Sequence, residues 1–132
     1  MTEIKKITKI VMIYYGVAGL LFSFLYLALT DFFAFRLMQW PTGDPVPFWS
    51  LGMTMLVLAI ASFLAYFKTE WEKIKLYFEI MLMWVIGAIL MDIAILVVIS
   101  LPEAALFQMI FNIILLTFNL VIGLFSYIKQ RS

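Results

Sequence analysis

One acid stands inside an otherwise apolar run, in the stretch AILMDIAILVV, and its type and place could support chemistry. This residue is Asp92, about seven residues, or about 10 Å at about 1.5 Å per residue, from the outer end of a predicted membrane helix. An acid at the centre of such a helix costs about 2.5–3.5 kcal/mol to insert. Asp92 must therefore face other helices, be protonated or find a hydrogen-bond donor. Two roles stay open, a hydrogen bond that packs helices and a site for a ligand or a proton.

Amide side chains in the last apolar run supply the second part of the candidate site. At about 100° per residue, Gln108, Asn112 and Asn119 share one side of a helix. Counted inward from the helix end, Asn112 reaches nearly the depth of Asp92. We therefore predict an Asp92–Asn112 contact, with Gln108 one turn above it. The amide strip either packs helices through hydrogen bonds or lines a cavity.

Missing residue types exclude most reaction chemistry. The chain has no histidine and no cysteine, which removes the commonest metal and haem ligands, thiol chemistry and disulfides. One deep acid cannot make the facing pair that an intramembrane aspartyl protease needs, and no glycine-rich phosphate loop is present. Small four-helix multidrug exporters carry a deep glutamate in helix one, whereas the first acid within this helix is Asp31. We expect no enzyme activity, no metal and no cofactor.

Composition predicts that these residues are positioned by helices in a bilayer. Hydrophobic residues make up 66% of the 132 residues and charged residues 13%, against roughly 45–50% and about 25% in ordinary globular domains. Four runs are long enough to span a membrane as helices, at about 10–35, 48–67, 76–99 and 104–128. Short links favour antiparallel neighbours. We predict an all-α fold, one domain over residues 1–132 that forms a four-helix up-down-up-down bundle.

Basic residues predict how the bundle is threaded. Of the nine lysines and arginines, Arg36 alone falls on the outer side, and the others precede the first helix, surround the second link or end the chain. By the positive-inside rule, both termini and loop 68–75 are cytoplasmic, in a multi-pass protein of the cell membrane. Arg36 and Asp31 flank the outer end of helix one, five residues apart, a spacing that does not suit a direct pair on an α-helix. A net charge of +1 gives no reason to expect a nucleic-acid partner.

Small residues recur along one side of three predicted helices and predict close helix packing. Such residues let helix backbones approach in a membrane, where burial of apolar surface gives little driving force. These packing positions are Gly16, Gly19 and Ser23 in the first helix, Gly52, Ala59 and Ser62 in the second, and Gly123 and Ser126 in the fourth.

Part of the layout resembles a known family. Tyr15-Gly16 with Gly19, the proline-containing stretch GDPVPFW and then Leu51-Gly52 are similar to the small four-helix DoxX-like membrane proteins. Ser50 departs from the pattern, which has an arginine there. The resemblance covers nearly the whole chain and implies a four-helix bundle, but it carries over no functional residue.

Two functional classes follow from these features. In the first, the chain is a structural, assembly or accessory subunit that associates with itself or with other membrane subunits in the bilayer. In the second, it binds or moves a small apolar or lipid-like solute through a polar pocket around Asp92, Asn112 and Asn119. Four helices seldom enclose a substantial pathway, so transport would require a dimer.

Overall fold

Four long helices dominate the fold. The computed structural model of the protein describes residues 2–131, in which no β-strand occurs beyond an isolated bridge between Glu3 and Glu70. The helices are α1 (Lys6–Leu27), α2 (Val46–Tyr66), α3 (Lys75–Val98) and α4 (Glu103–Arg131). By length and composition all four could cross a membrane. The chain is therefore all-helical, with the helices that a multi-pass membrane protein needs.

Apolar side chains cover the outer faces of the helices. Val97 of α3 is 81% exposed and Phe107 of α4 is 71% exposed, and many other large apolar side chains point away from the bundle. Water would penalise this surface at roughly 25 cal/mol per Å². Hydrocarbon is the solvent that matches it.

A π-helix separates α1 from α2. The sequence predicts a first helix over about 10–35, whereas α1 ends at Leu27 and a π-helix spans Asp31–Leu37. The Thr30 hydroxyl donates to the carbonyl of Tyr26, so a side chain occupies an acceptor at the end of α1. Hydrogen bonds five residues apart turn Asp31 and Arg36 toward each other, and their charged groups lie 3.3 Å apart. A spacing that does not suit an α-helix is thus matched by the π-helix.

Gln39, which follows the π-helix, has the one positive φ among the described non-glycine residues, at 56°. The left-handed region costs an L-residue roughly 1–2 kcal/mol. We expect Gln39→Gly to raise the free energy of unfolding by up to about 1 kcal/mol, after the loss of chain entropy that glycine brings. Gln39→Val should lower it, because a β-branched residue fits this region worst. Denaturant titration of both variants in mild detergent measures the free energy of unfolding. If both variants shift it in the same direction, the left-handed backbone conformation at Gln39 is contradicted.

The interface between α1 and α2 is close because glycines line it. A Cβ added at Gly19 would lie 3.0 Å from the Ala59 Cβ and 3.3 Å from the Met55 carbonyl oxygen. A Cβ at Gly52 would lie 2.9 Å from Leu27. Gly19 and Gly52 therefore permit a backbone approach that any larger residue would prevent.

The other small residues predicted to pack also lie at contacts. Ser23 is buried and donates 2.8 Å to the Leu20 carbonyl, and Ser62 is buried and bonds to the Tyr77 hydroxyl. A Cβ at Gly16 would lie 2.8 Å from the ring of Phe63. Gly16 and Ser62 thus lie against another helix, whereas the Ser23 hydrogen bond stays within α1.

The N-terminal segment is hydrogen-bonded to the link between α2 and α3. The Ile4 N–H donates 3.0 Å to the Thr69 carbonyl, and the Trp71 N–H donates 2.8 Å to the Thr2 carbonyl. The Thr2 N–H also donates to the Glu72 carboxylate at 3.0 Å. A hydrogen bond from its own backbone N–H, together with those from Thr2, holds the pKa of the Glu72 carboxyl below its usual range. The segment is therefore held by main-chain and side-chain bonds.

Gln130, in the last turn of α4, closes the same end of the bundle. Its side-chain oxygen accepts from the Lys5 N–H and the Thr8 hydroxyl, both at 2.8 Å, and its amide nitrogen donates 2.9 Å to the Glu3 carbonyl. Ser126 donates 3.3 Å to Thr8, which extends the network one turn along α4. Because Gln130 is only 1% exposed, no water replaces these bonds.

Candidate functional site

A cavity of about 660 Å³ lies among the four helices. Its lining includes Gly19 of α1, Ala59 of α2, Val85 of α3 and Leu116 of α4. Most lining side chains are apolar or aromatic, with a few polar groups among them. Pockets that bind small molecules have this character and range over about 300–1,000 Å³.

Three of the four residues predicted to bind line this cavity. Asp92 of α3 and Asn112 and Asn119 of α4 all contribute to its wall. Gln108 does not line it, and its amide nitrogen instead donates 3.0 Å to the Asn112 side-chain oxygen. The structure thus brings Asp92, Asn112 and Asn119 together on one cavity wall. Gln108 lies beside the cavity and orients Asn112 through its hydrogen bond.

Among the described residues, the Asp92 carboxylate has no partner. Within residues 2–131 no hydrogen bond or ion pair to it is found, so the predicted direct bond from Asn112 is not made. The Asn112 side-chain oxygen instead accepts from Gln108, and the Tyr26 hydroxyl lies near both Asn112 and Asp92. Asp92 is half-buried and faces the cavity, so its acceptor oxygens stay available to a molecule inside it.

Two tyrosines of α1 hold Asn119. The Tyr14 hydroxyl donates 2.7 Å to the Asn119 side-chain oxygen, and the Tyr15 hydroxyl donates 2.5 Å to its backbone carbonyl. Gly123, one turn further on, leaves room for this bond, because a Cβ there would meet the Tyr15 hydroxyl and lie 2.6 Å from Leu82. With its oxygen engaged, the Asn119 side chain retains its N–H donors.

Aromatic side chains close the end of the cavity near the π-helix. Tyr26 contacts Phe33 edge-on at 5.4 Å and stacks on Phe48 at 5.8 Å, and Trp40 meets Phe48 edge-on at 5.7 Å. Tyr26, Trp40 and Phe48 line the cavity, as does Met38. We use the name aromatic cap for five residues: Tyr26, Phe33, Met38, Trp40 and Phe48. Trp49 of α2 donates 3.1 Å to Thr30, which ties the start of α2 to the end of α1 beside it.

Tyr77 of α3 connects α3 to α2. Its hydroxyl bonds to Ser62 and donates 3.1 Å to the Leu58 carbonyl.

An open groove of about 660 Å³ runs on the outer surface and includes Trp49, Met53 and Trp84. Leu58 and Trp84 line both the groove and the cavity. These two side chains therefore lie between the cavity and the groove.

The site offers recognition by one carboxylate and two amides in an apolar wall. The residues described contain no group of three or more His, Cys, Asp or Glu side chains that could hold a metal ion. Sequence reasoning missed the tyrosines, because a tyrosine near the end of a membrane helix is equally typical of the membrane interface. The sequence does hold one indication of their role: counted from the same end of the bundle, Tyr14 and Tyr15 of α1 lie at about the depth of Asn119 of α4.

Comparisons with known proteins identify no relative. No family model matches the chain, and neither the curated proteins nor the solved structures contain a match. The fold and site define a protein of four long helices, each long and apolar enough to span a membrane, with a cavity among them.

Proposed function

We propose that the chain is a four-helix up-down-up-down bundle in the cell membrane. Contacts between α1 and α2 support this, because Gly16 meets Phe63 at one end and Leu27 meets Gly52 at the other. The same inverse order holds between α1 and α4, in which Thr8 bonds to Gln130 and Tyr15 bonds further back along α4.

Both termini and loop 68–75 face the cytoplasm in this proposal. The N-terminal segment, the link after α2 and the end of α4 meet at one end of the bundle. All lysines and arginines except Arg36 lie in these segments or in the adjoining helix turns. The positive-inside rule assigns such an end to the cytoplasm.

The function that the geometry supports best is binding of a small, largely apolar or lipid-like solute. The single observation that carries this proposal is the cavity among the four helices, with Asp92, Asn112 and Asn119 on its wall. An apolar wall with a few polar groups that fix orientation is the usual design of a ligand site. The solute enters from the bilayer past Leu58 and Trp84. No catalytic step, metal or cofactor is part of the proposal.

Gly87 allows the cavity to be filled without disturbing its wall. It lines the cavity, and a Cβ added there meets no atom within 4 Å. We expect Gly87→Phe to weaken binding of Nile red, a neutral lipophilic dye, at least tenfold, since the new ring occupies the dye's volume. The measurement is dye fluorescence titrated with purified protein in a mild nonionic detergent.

Leu90→Phe is the matched control, because Leu90 lies on the same helix and is 62% exposed. It should bind the dye as the wild type does. Equal binding by Gly87→Phe and wild type, or no binding by wild type, would contradict the proposal. Other membrane subunits that co-purify with the wild type would instead favour the accessory-subunit class, and a homogeneous self-associated species would favour the homo-oligomer.

A further inference from the structure

The cavity wall carries one carboxylate and no basic side chain to neutralise it. Asp92 lines the cavity, and none of the lining residues is a lysine or an arginine. The ion pairs found among residues 2–131 lie elsewhere, between Arg36 and Asp31 and around Glu70 and Glu79 near the start of α3. A negative charge on Asp92 therefore has no counter-ion on the cavity wall, and a bound cationic molecule can supply one.

Several aromatic side chains share the cavity wall with this acid. Tyr26 and Trp40 of the aromatic cap line the cavity, and so do Phe22 of α1 and Trp84 of α3. Ring faces attract cations, and this attraction increases where water is excluded. The cavity thus combines a carboxylate with π-electron faces, the two groups that recognise an organic ammonium.

We propose that the cavity binds a lipophilic amine, whose ammonium group pairs with the Asp92 carboxylate while its hydrocarbon part packs against the apolar wall. This inference rests on the proposed binding function and names its ligand class. The ammonium donates hydrogen bonds to the carboxylate, and the pairing offsets the cost of the acid's depth in the membrane. An anionic lipid headgroup is disfavoured because it would face Asp92 without a cation between them.

The polar groups beside Asp92 leave it open to this pairing. Asn112 accepts from Gln108 at 3.0 Å, and no hydrogen bond from Asn112 or Tyr26 to Asp92 is found within residues 2–131. Ammonium donors therefore meet a carboxylate on the cavity wall that has no partner among residues 2–131. Such a pair is stronger in a low-dielectric site than in water.

The test compares ligands of equal chain length that differ in charge. Displacement of Nile red by dodecylamine, by dodecyltrimethylammonium and by dodecanol is measured in nonionic detergent, which avoids surface charge. For wild type we expect dodecylamine to displace the dye at a concentration at least tenfold below that of dodecanol. Asp92→Asn should reduce this ratio to about onefold, because a neutral amide cannot form an ion pair with the ammonium group.

Asp92→Glu keeps the charge and should retain most of the preference for the amine, which guards against a loss caused by misfolding. Retained helix content and elution volume confirm that each variant is folded. If wild type binds the dye but does not distinguish amine from alcohol, the inference fails while the proposed binding function stands. If Asp92→Asn retains the preference, the inference fails as well. If wild type does not bind the dye, the proposed function fails first.

Discussion

Gln130→Leu is expected to lower the free energy of unfolding by about 2–4 kcal/mol. The substitution removes three hydrogen bonds at once and leaves the Lys5 N–H, the Glu3 carbonyl and the Thr8 hydroxyl beside an apolar side chain. Each buried polar group without a partner costs about 1–3 kcal/mol, and partial access of Lys5 and Glu3 to water reduces the sum. Titration of detergent-solubilised protein with SDS, followed by tryptophan fluorescence, measures the change.

Gln108→Leu is the control for this prediction, because it makes the same side-chain change in the same helix. Gln108 is half-buried and donates one hydrogen bond, to Asn112. Its loss should cost less than about 1 kcal/mol. Equal destabilisation by the two variants would show that Gln130 has no special role in closing the bundle.

Gly19→Val is expected to destabilise the protein by about 2–3 kcal/mol. The valine Cβ would press on the Ala59 Cβ at 3.0 Å and on the Met55 carbonyl oxygen at 3.3 Å, and its two methyl groups would need further space. Because Ala59 is fully buried and Met55 contributes backbone, neither neighbour can swing away. The helices α1 and α2 must separate, which also opens the cavity that Gly19 lines.

Gly87→Val provides the matched substitution at a helix position with no atom within 4 Å of the added Cβ. It should leave stability unchanged or raise it slightly, since valine is a better helix former than glycine. The SDS midpoint of each variant is compared with that of wild type. Gly19→Val with a midpoint equal to that of Gly87→Val would contradict the close approach of α1 and α2.

Helices were the most predictable part of the fold, because the requirement to satisfy backbone groups in hydrocarbon leaves few alternatives. The last three apolar runs match α2, α3 and α4 to within three residues at each end, whereas α1 begins and ends earlier than the predicted range of about 10–35. The π-helix at Asp31–Leu37 was not predicted, since apolar periodicity is similar for an α-helix and a π-helix over seven residues. The hydrogen bond from Thr30 to Tyr26 is a local event that no hydrophobic pattern encodes.

The candidate site was predictable where a polar residue interrupts an apolar run. Asp92, Asn112 and Asn119 were selected in this way, and they line one cavity. Their hydrogen-bond partners were harder to predict. Gln108 lies one turn from Asn112 on α4 and can bond to it directly, and the relative rotation of α3 and α4 decides whether Asn112 reaches Asp92 instead. The side chain of Tyr26 belongs to the site because the packing of the helices brings it to the same cavity as Asp92 and Asn112, and residue spacing within one helix does not specify that packing.

The hydrogen bonds of Gln130 have a consequence for the order in which the molecule is assembled during synthesis. Its partners Lys5, Thr8 and Glu3 are separated from it by 125, 122 and 127 positions. At roughly 5–20 residues per second, about 6–25 s pass between the synthesis of these partners and that of Gln130. α4 must therefore be synthesised before the N-terminal segment can form these bonds with Gln130, so this end of the bundle stays open in a newly made chain until then.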